Sequence, residues 1–245
     1  GNMFKNSYDY NRNLDSHMMK NTEWGAVAYL QHSAYGSQAS VRVNNNSSYI
    51  TGYSATVEPT LGYNGGTSIN GNRVESTSLS IDGTYTVNYL NSNSTISSTT
   101  GNYSGIYDMS GGAWEYVMGY TIKATTVGGS SGITSLYPNF FSDSTYTKYW
   151  DKYTSTVNTN YNNRILGDAT GEMGPFGRTV DPDGNNRNKS SWYKNIVYFA
   201  SSSNPWLSYG GHWGHGTGAG VFALNCYTGS AYAYTSFRIA LAPTV

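Results

Sequence analysis

The clearest helical periodicity lies in residues 16–34. Met18, Met19, Trp24, Val27, Ala28 and Leu30 form an apolar stripe there, Asp15 or Ser16 offers an N-cap, and Gly36 follows near the end. The preceding residues 1–15 are polar and predict a loose lead-in. Beyond the helix the period falls to two. Residues 41–43, 49–50, 78–81 and 85–87 read as short strands, parted by turn residues such as Asn64-Gly65-Gly66 and Asp82-Gly83. Residues 91–100 are nearly all Ser, Thr and Asn, which predicts an exposed loop. Apolar residues crowd into 101–122, the candidate core, whereas 123–190 is loop-rich with one short helix expected around 143–154. Strand-like runs return at 196–200, 220–224 and 236–241 between Gly turns. With no repeat, heptad or linker, the pattern predicts one α+β domain over 16–245, with few helices, short strands and long irregular loops that carry function.

Composition narrows the partners. A chain of 245 residues can bury a core without disulfides. Only 11% of residues are charged, the net charge is zero and no Lys/Arg cluster occurs, which excludes nucleic acid and gives no reason for an anionic membrane target. No signal peptide, transmembrane run or lipidation motif is recognisable, so direct membrane insertion is not expected. Aromatic residues make up 15%, with 24 Tyr, and this argues against disorder. Tyr beside Asn, Ser, Thr and Gly is the palette of recognition surfaces, because Tyr supplies rigid amphipathic contact and the small polar residues adapt.

Motifs of catalysis are missing: there is no nucleophile elbow, P-loop, dinucleotide fingerprint or His-Glu-x-x-His. His212 and His215 are spaced to share a metal but lack an evident third ligand, and they read as histidines of a binding loop. Cys226 is the single cysteine, so no intrachain disulfide forms, and no base for a thiolate can be assigned. Asp181-Pro-Asp183-Gly-Asn185 resembles a calcium loop in composition but lacks the closing Glu, and it reads as an Asx-rich turn.

Three segments in series carry a family resemblance. They are Met19-Lys-Asn-Thr22-Glu23-Trp24-Gly-Ala-Val-Ala28-Tyr29, Gly105-Ile-Tyr107-Asp108-Met109-Ser-Gly111-Gly112-Ala-Trp114-Glu115-Tyr116, and Tyr209-Gly210-Gly211-His212-Trp213 followed by Phe237-Arg238. Together they resemble the formylglycine-generating (sulfatase-modifying) enzymes, which have a variant of the C-type lectin fold. The resemblance implies a C-type-lectin-like fold for this chain. The family's oxidase chemistry depends on a cysteine pair, and one cysteine stands here, so no enzyme activity and no cofactor are expected. In the family the middle motif helps hold a structural calcium; Gly112 takes the place of the motif's Asn, and Glu115 alone is not a site.

The C-terminal run Gly210-Gly-His212-Trp213-Gly214-His215-Gly216-Thr217-Gly218-Ala219-Gly220-Val221-Phe222, continuing to Phe237-Arg238, resembles non-enzymatic members of this fold: the variable proteins of diversity-generating retroelements. These display a diversified segment on a constant scaffold, here residues 209–238. Such retroelements alter template adenines, and Asn codons altered that way yield Tyr, His, Asp, Ser, Thr, Ile, Gly, Cys or Ala. The resemblance implies ligand-binding roles for Tyr209, His212, Trp213, Gly214, His215, Gly218, Tyr227, Thr228, Tyr232, Tyr234 and Thr235, anchored by Val221, Phe222, Leu224, Phe237 and Arg238. The expected partner is a macromolecule, protein or glycan, met from a cell surface, pilus, cell wall or phage particle; residues 18–29 also resemble bacterial pilin-like surface proteins. The alternatives are a metal-dependent oxidase relative and a calcium-dependent lectin, for which Glu58-Pro59-Thr60 is the nearest, weak, signature.

Overall fold

The computed structural model describes residues 1–36, 54, 78–81, 85–88, 98–102, 104–121, 132–153, 195–198 and 203–242. The strands expected at 41–43 and 49–50, the turns at 64–66 and 82–83, the Asp181 loop and Glu58-Pro59-Thr60 lie outside the described residues. The described part is mixed α+β, with few helices and short strands.

The central element is β4 (Trp114–Thr121), the densest apolar stretch of the sequence, and every residue of it is buried. A strand alternates its side chains between two faces. Tyr116, Met118 and Tyr120 enter one cluster with Phe4, Met18, Ile133, Phe140, Tyr149 and Trp206. Val117 enters the other, with Trp24, Ala28, Met109, Leu207, Tyr209, Val221 and Leu224. β6 (Trp206–Gly210) pairs antiparallel with β4, and β7 (Gly220–Tyr227) pairs antiparallel with β6. On the opposite edge of β4, β8 (Thr235–Phe237) and β5 (Asp151–Tyr153) run parallel to it, end to end: Glu115 faces Ser236, and Tyr120 faces Lys152. β1 (His17–Met18) and β9 (Ile239–Ala240) pair antiparallel, and Met19 N donates to Arg238 O at 2.9 Å, so the two ends of the domain are joined. β2 (Ser78–Ile81) and β3 (Tyr85–Asn88), two of the strands that alternation predicts, pair antiparallel.

The helix α2 (Asn21–His32) starts later than its stripe suggests. Its first turn is capped from elsewhere: Lys20 N donates to Glu23 Oε2 at 2.7 Å, and Thr22 N donates to Asp151 Oδ2 at 2.8 Å. Ser16 instead accepts from Asn11 N at 2.8 Å, and Asp15 takes a left-handed conformation (φ 46°) and an ion pair from Lys148. Met18 therefore belongs to β1, and Leu30 is exposed rather than part of the buried stripe. Trp24 and Ala28 face the sheet, and α2 sits close because β4 carries Gly119. A Cβ there would fall 2.9 Å from Asn21 Cβ and 3.0 Å from Leu207 Cδ1.

Residues 1–15 are not a loose lead-in. Asn2–Tyr8 forms a helix, α1, and Phe4 is only 1% exposed, edge-on to Phe140 at 4.8 Å and Tyr137 at 5.3 Å. A seven-residue helix is unstable alone. Aromatic burial, about 1.5–3 kcal/mol for a buried Phe, compensates here, and the Arg12 guanidinium lies 3.5 Å from the centre of the Tyr8 ring. Two other loop expectations change. Ser98 and Thr99, at the end of the polar run 91–100, are buried, with Thr99 N donating to Ile106 O. The helix expected around 143–154 is a single turn, Ser144–Thr147, after which the chain enters β5. Among the described residues no helix is long and apolar enough to cross a membrane.

Candidate functional site

β6 ends at Gly210, and Gly210 and the following Gly211 are both left-handed with φ of 92° and 80°. A Cβ on Gly211 would lie 2.6 Å from Ala219 Cβ, so only glycine lets the loop fold back so tightly. The loop that follows holds itself with its own histidines. Gly214 N donates to His212 Nδ1 at 2.9 Å, His212 N to His215 Nδ1 at 3.1 Å, and His215 N to His212 O at 3.0 Å. Ser54 Oγ donates to His212 O and Gly216 O and closes the base of the loop. Both Nδ1 atoms accept, which places the proton of each neutral ring on Nε2. The rings stand 3.9 Å apart over the buried Trp114, which lies 5.1 Å from His215 and 6.4 Å from His212.

The second half of the site comes from the far end of β7. The chain turns at Gly229 and returns through Tyr232 and Tyr234 into β8, where Trp114 N donates to Tyr234 O at 2.9 Å. The aromatic rings then form a ladder. Tyr232 stacks on Tyr234 (5.5 Å, 7°), and Tyr234 stacks on His212 (5.0 Å, 29°). Tyr227 leans on Tyr232 at 5.3 Å and meets Tyr116 edge-on at 5.9 Å. Small polar residues brace the turn. Thr235 Oγ1 accepts from Tyr232 N and donates to Tyr232 O; Thr228 Oγ1 donates to Ser230 Oγ at 3.0 Å; Asn225 Nδ2 donates to the Tyr227 hydroxyl at 2.9 Å. Burial raises the pKa of the Tyr227 hydroxyl.

The structure thus brings together His212, Trp213, Gly214, His215, Tyr227, Thr228, Tyr234 and Thr235, all half-buried, with the exposed Tyr232. It corrects two of the expected ligand-binding positions. Tyr209 is 0% exposed, stacked on Trp24 at 5.2 Å inside the core, because β6 is covered by α2 on that face. Gly218 is buried too, and a Cβ there would fall 2.7 Å from Ile196 Cγ1. The anchors Val221, Phe222 and Leu224 are buried and Phe237 is half-buried, as the sequence suggests. Arg238 is clamped by Glu115 through Nε to Oε2 at 2.9 Å and Nη2 to Oε1 at 2.6 Å, and it also donates to Asp108 O. Trp114 as the floor of the histidine loop and Ser54 as its base were not singled out from sequence, since neither spacing nor alternation reveals a contact across strands.

The electrostatics are plain. No Asp, Glu, Lys or Arg occurs between Lys194 and Arg238. Cys226 is half-buried on β7 opposite Leu207 and packs against the core. Among the described residues no group of three or more His, Cys, Asp or Glu is placed to hold a metal ion. Burial pushes the His212 imidazole down from 6.5 to about 4. The folded state therefore resists a proton that the unfolded chain accepts, and the stability His212 contributes is present above pH 6.5 and lost as pH falls towards 4. Allowing for its partial contact with water, the loss should be about 1–3 kcal/mol. Urea unfolding between pH 7 and pH 4 checks this. His212→Gln should flatten that part of the profile, and an unchanged slope would refute the assignment.

No protein-family model matches this chain, and no curated protein sequence does.

Proposed function

We propose that the chain is an extracellular ligand-binding protein of the receptor-binding or adhesin kind, which presents a diversified C-terminal surface on a constant C-type-lectin-like scaffold. The observation that carries this reading is the aromatic ladder of Tyr232, Tyr234 and His212, flanked by Tyr227, on one face of the domain. Tyr and other aromatics at the centre of an interface supply most of its binding energy at low entropic cost.

The mutual contacts of the motifs that carry the family resemblance support the scaffold part. Trp24 donates its indole N–H to Val221 O at 2.8 Å and stacks on Tyr209. Gly111 N donates to Gly210 O and Trp213 N to Gly112 O. Glu115 holds Arg238. Segments far apart in the chain thus build one frame around the loop and the ladder, and the exposed Tyr232 at the end of the ladder can change at little cost. Exposed substitutions usually alter stability by about 0.5 kcal/mol or less.

Two experiments test the proposal. Tyr232→Ala with Tyr234→Ala should abolish capture of a macromolecular ligand selected with the wild-type protein; unchanged capture by a folded variant would sink the binding role. Diversification is read from the gene: a near-copy repeat of its 3′ end, beside a reverse transcriptase, should differ at adenines. The differences should fall in codons 212, 214, 215, 227, 228, 232, 234 and 235 and spare 209 and 218, whose side chains have no room to vary. Absence of any repeat would leave a fixed adhesin.

A further inference from the structure

His17 opens β1, and its buried ring meets an acceptor at each nitrogen: Nδ1 lies 2.6 Å from Asp15 O and Nε2 lies 2.8 Å from Glu23 Oε1. A carbonyl oxygen and a carboxylate have no hydrogen to give. A neutral imidazole carries one N–H and satisfies only one of the two, which leaves lone pair against lone pair at the other. The imidazolium, with two N–H groups, fits both. The charges around the ring agree with this. The hydrogen bond to Glu23 raises the His17 pKa; burial works against the rise, and the bond to Asp15 O adds to it. Burial by itself would raise the Glu23 carboxyl, but the bonds from His17 and from Lys20 N bring it below its ordinary value, so Glu23 is the charged partner. The Asp15 carboxylate is already engaged, by the Tyr149 hydroxyl at 2.6 Å and by Lys148 Nζ at 3.0 Å, with Arg12 Nη2 at 3.9 Å. The Tyr149 ring lies 5.5 Å from the imidazole. At the start of α2 the Lys20 ammonium turns to Asp151 at 3.7 Å, and from β9 Ile239 and Ala240 bring no charge.

We propose that His17 is a proton-operated latch: as an imidazolium it holds closed the seam between residues 14–19 and 238–242, and loss of its proton opens that seam. The ring is placed for this role, because it ties the turn before β1 to the helix after it. The seam is thin. β1 and β9 contribute two residues each, flanked by Met19 N donating to Arg238 O and Ala242 N donating to Leu14 O, both at 2.9 Å. The turn that feeds the seam depends on the ring as well. Asp15 is left-handed, with φ of 46°, a conformation few non-glycine residues adopt, and its carbonyl is the one His17 holds. A neutral ring turns either the Asp15 or the Glu23 contact into a repulsion, so β1 loses its hold on one side. The sign follows from the raised folded value: the stability that His17 contributes is complete below pH 6.5 and is lost as pH rises through that value, opposite to His212. β9 follows β8 directly, so an open seam leaves the return strand of the ladder held by β4 and by the pair of Arg238 with Glu115. The latch is independent of what the ladder binds.

The test uses the whole chain and is read by NMR. Nitrogen-15 spectra of the histidine rings, with His17→Gln for assignment, should show both His17 nitrogens protonated at pH 7. Amide exchange at Met19 and Ala242, corrected for its intrinsic pH dependence, should then follow the ring. Protection should hold up to the His17 midpoint and fall about tenfold beyond it, the lower end for a hydrogen bond to a charged group. The Trp114 amide, bonded to Tyr234 O, should keep its protection throughout, because the opening is local. His17→Gln should abolish the step and leave the seam at the low protection of high pH. Should that variant misfold, Glu23→Gln keeps an acceptor for Lys20 N, removes the charge and should move the step to lower pH. A His17 ring that is mainly neutral at pH 7 overturns the proposal. So does the lack of a step at the seam, a step that survives in His17→Gln or stays in place in Glu23→Gln, or one that appears equally at Trp114.

Discussion

Arg238→Met is expected to lower the unfolding free energy by about 3–5 kcal/mol, because it strands a carboxylate inside the sheet. Glu115 is 7% exposed, and its two oxygens receive Arg238 Nε and Nη2 at 2.9 and 2.6 Å. Burial pushes the Glu115 carboxyl upward in pKa, and Arg238 offsets part of that rise. Without the guanidinium the carboxyl rises further and takes up a proton. The sign follows: a group whose folded pKa is raised leaves stability intact below its unfolded value and removes it as pH rises through the folded value. The variant should therefore unfold most easily at neutral and higher pH and recover on acidification, the opposite of the trend set by His212. Urea midpoints of wild type and variant across pH measure both the loss and its recovery. A pH-independent loss would mean that packing of the arginine stem, not charge, dominates. Exchanging both partners, Glu115→Leu with Arg238→Met, should restore most of the stability, since apolar replacements remove both desolvation costs. The pair joins β4 to the segment between β8 and β9, so its rupture should also loosen the return strand that carries Tyr234.

The second large effect concerns binding. Tyr→Ala at an interface hot spot costs about 2 kcal/mol or more, and each 1.4 kcal/mol is tenfold in affinity. Tyr232 and Tyr234 touch each other, so their losses should not simply add. The double change should still weaken a selected ligand by roughly two orders of magnitude, a loss of about 3 kcal/mol. Tyr234→Ala alone should cost more than Tyr232→Ala alone. Tyr234 sits between Tyr232 and His212, and its removal frees both neighbours, whereas Tyr232 ends the stack. Surface-immobilised wild type and variants, titrated with one ligand, give the ranking. A larger loss from the terminal Tyr232 would mean that direct contact outweighs the preorganisation of the stack. Folding should survive both changes, because Tyr232 is 38% exposed and the backbone of the turn is held by Thr235 and Trp114.

Residue type and spacing alone were sufficient for several parts of this protein. The apolar density of 101–122 marks the core, and the structure makes its 114–121 part the central strand, since a strand buried on both faces needs a near-continuous apolar run. The helix around Trp24 and the His and Tyr residues between Gly211 and Arg238 are legible for similar local reasons, since periodicity and composition are properties of neighbouring residues. Contacts between distant segments decided the rest. Tyr209 and Tyr232 are the same side chain, but one lies under α2 and the other on a turn, and only the layering of α2 on β6 distinguishes them. Gly218 reads as an open loop position until Ile196, more than twenty residues earlier, is brought against it. The start of α2 is set by the carboxylate of Asp151, which no N-cap rule can find at a separation of 129 residues. α1 is too short to hold by propensity and exists because Phe4 finds an aromatic nest formed by residues 137–149. The sequence by itself determined which aromatic and small polar residues the C-terminal segment carries. Only the tertiary structure decided which of them reach the surface together, because burial and stacking depend on partners that the chain supplies from far away.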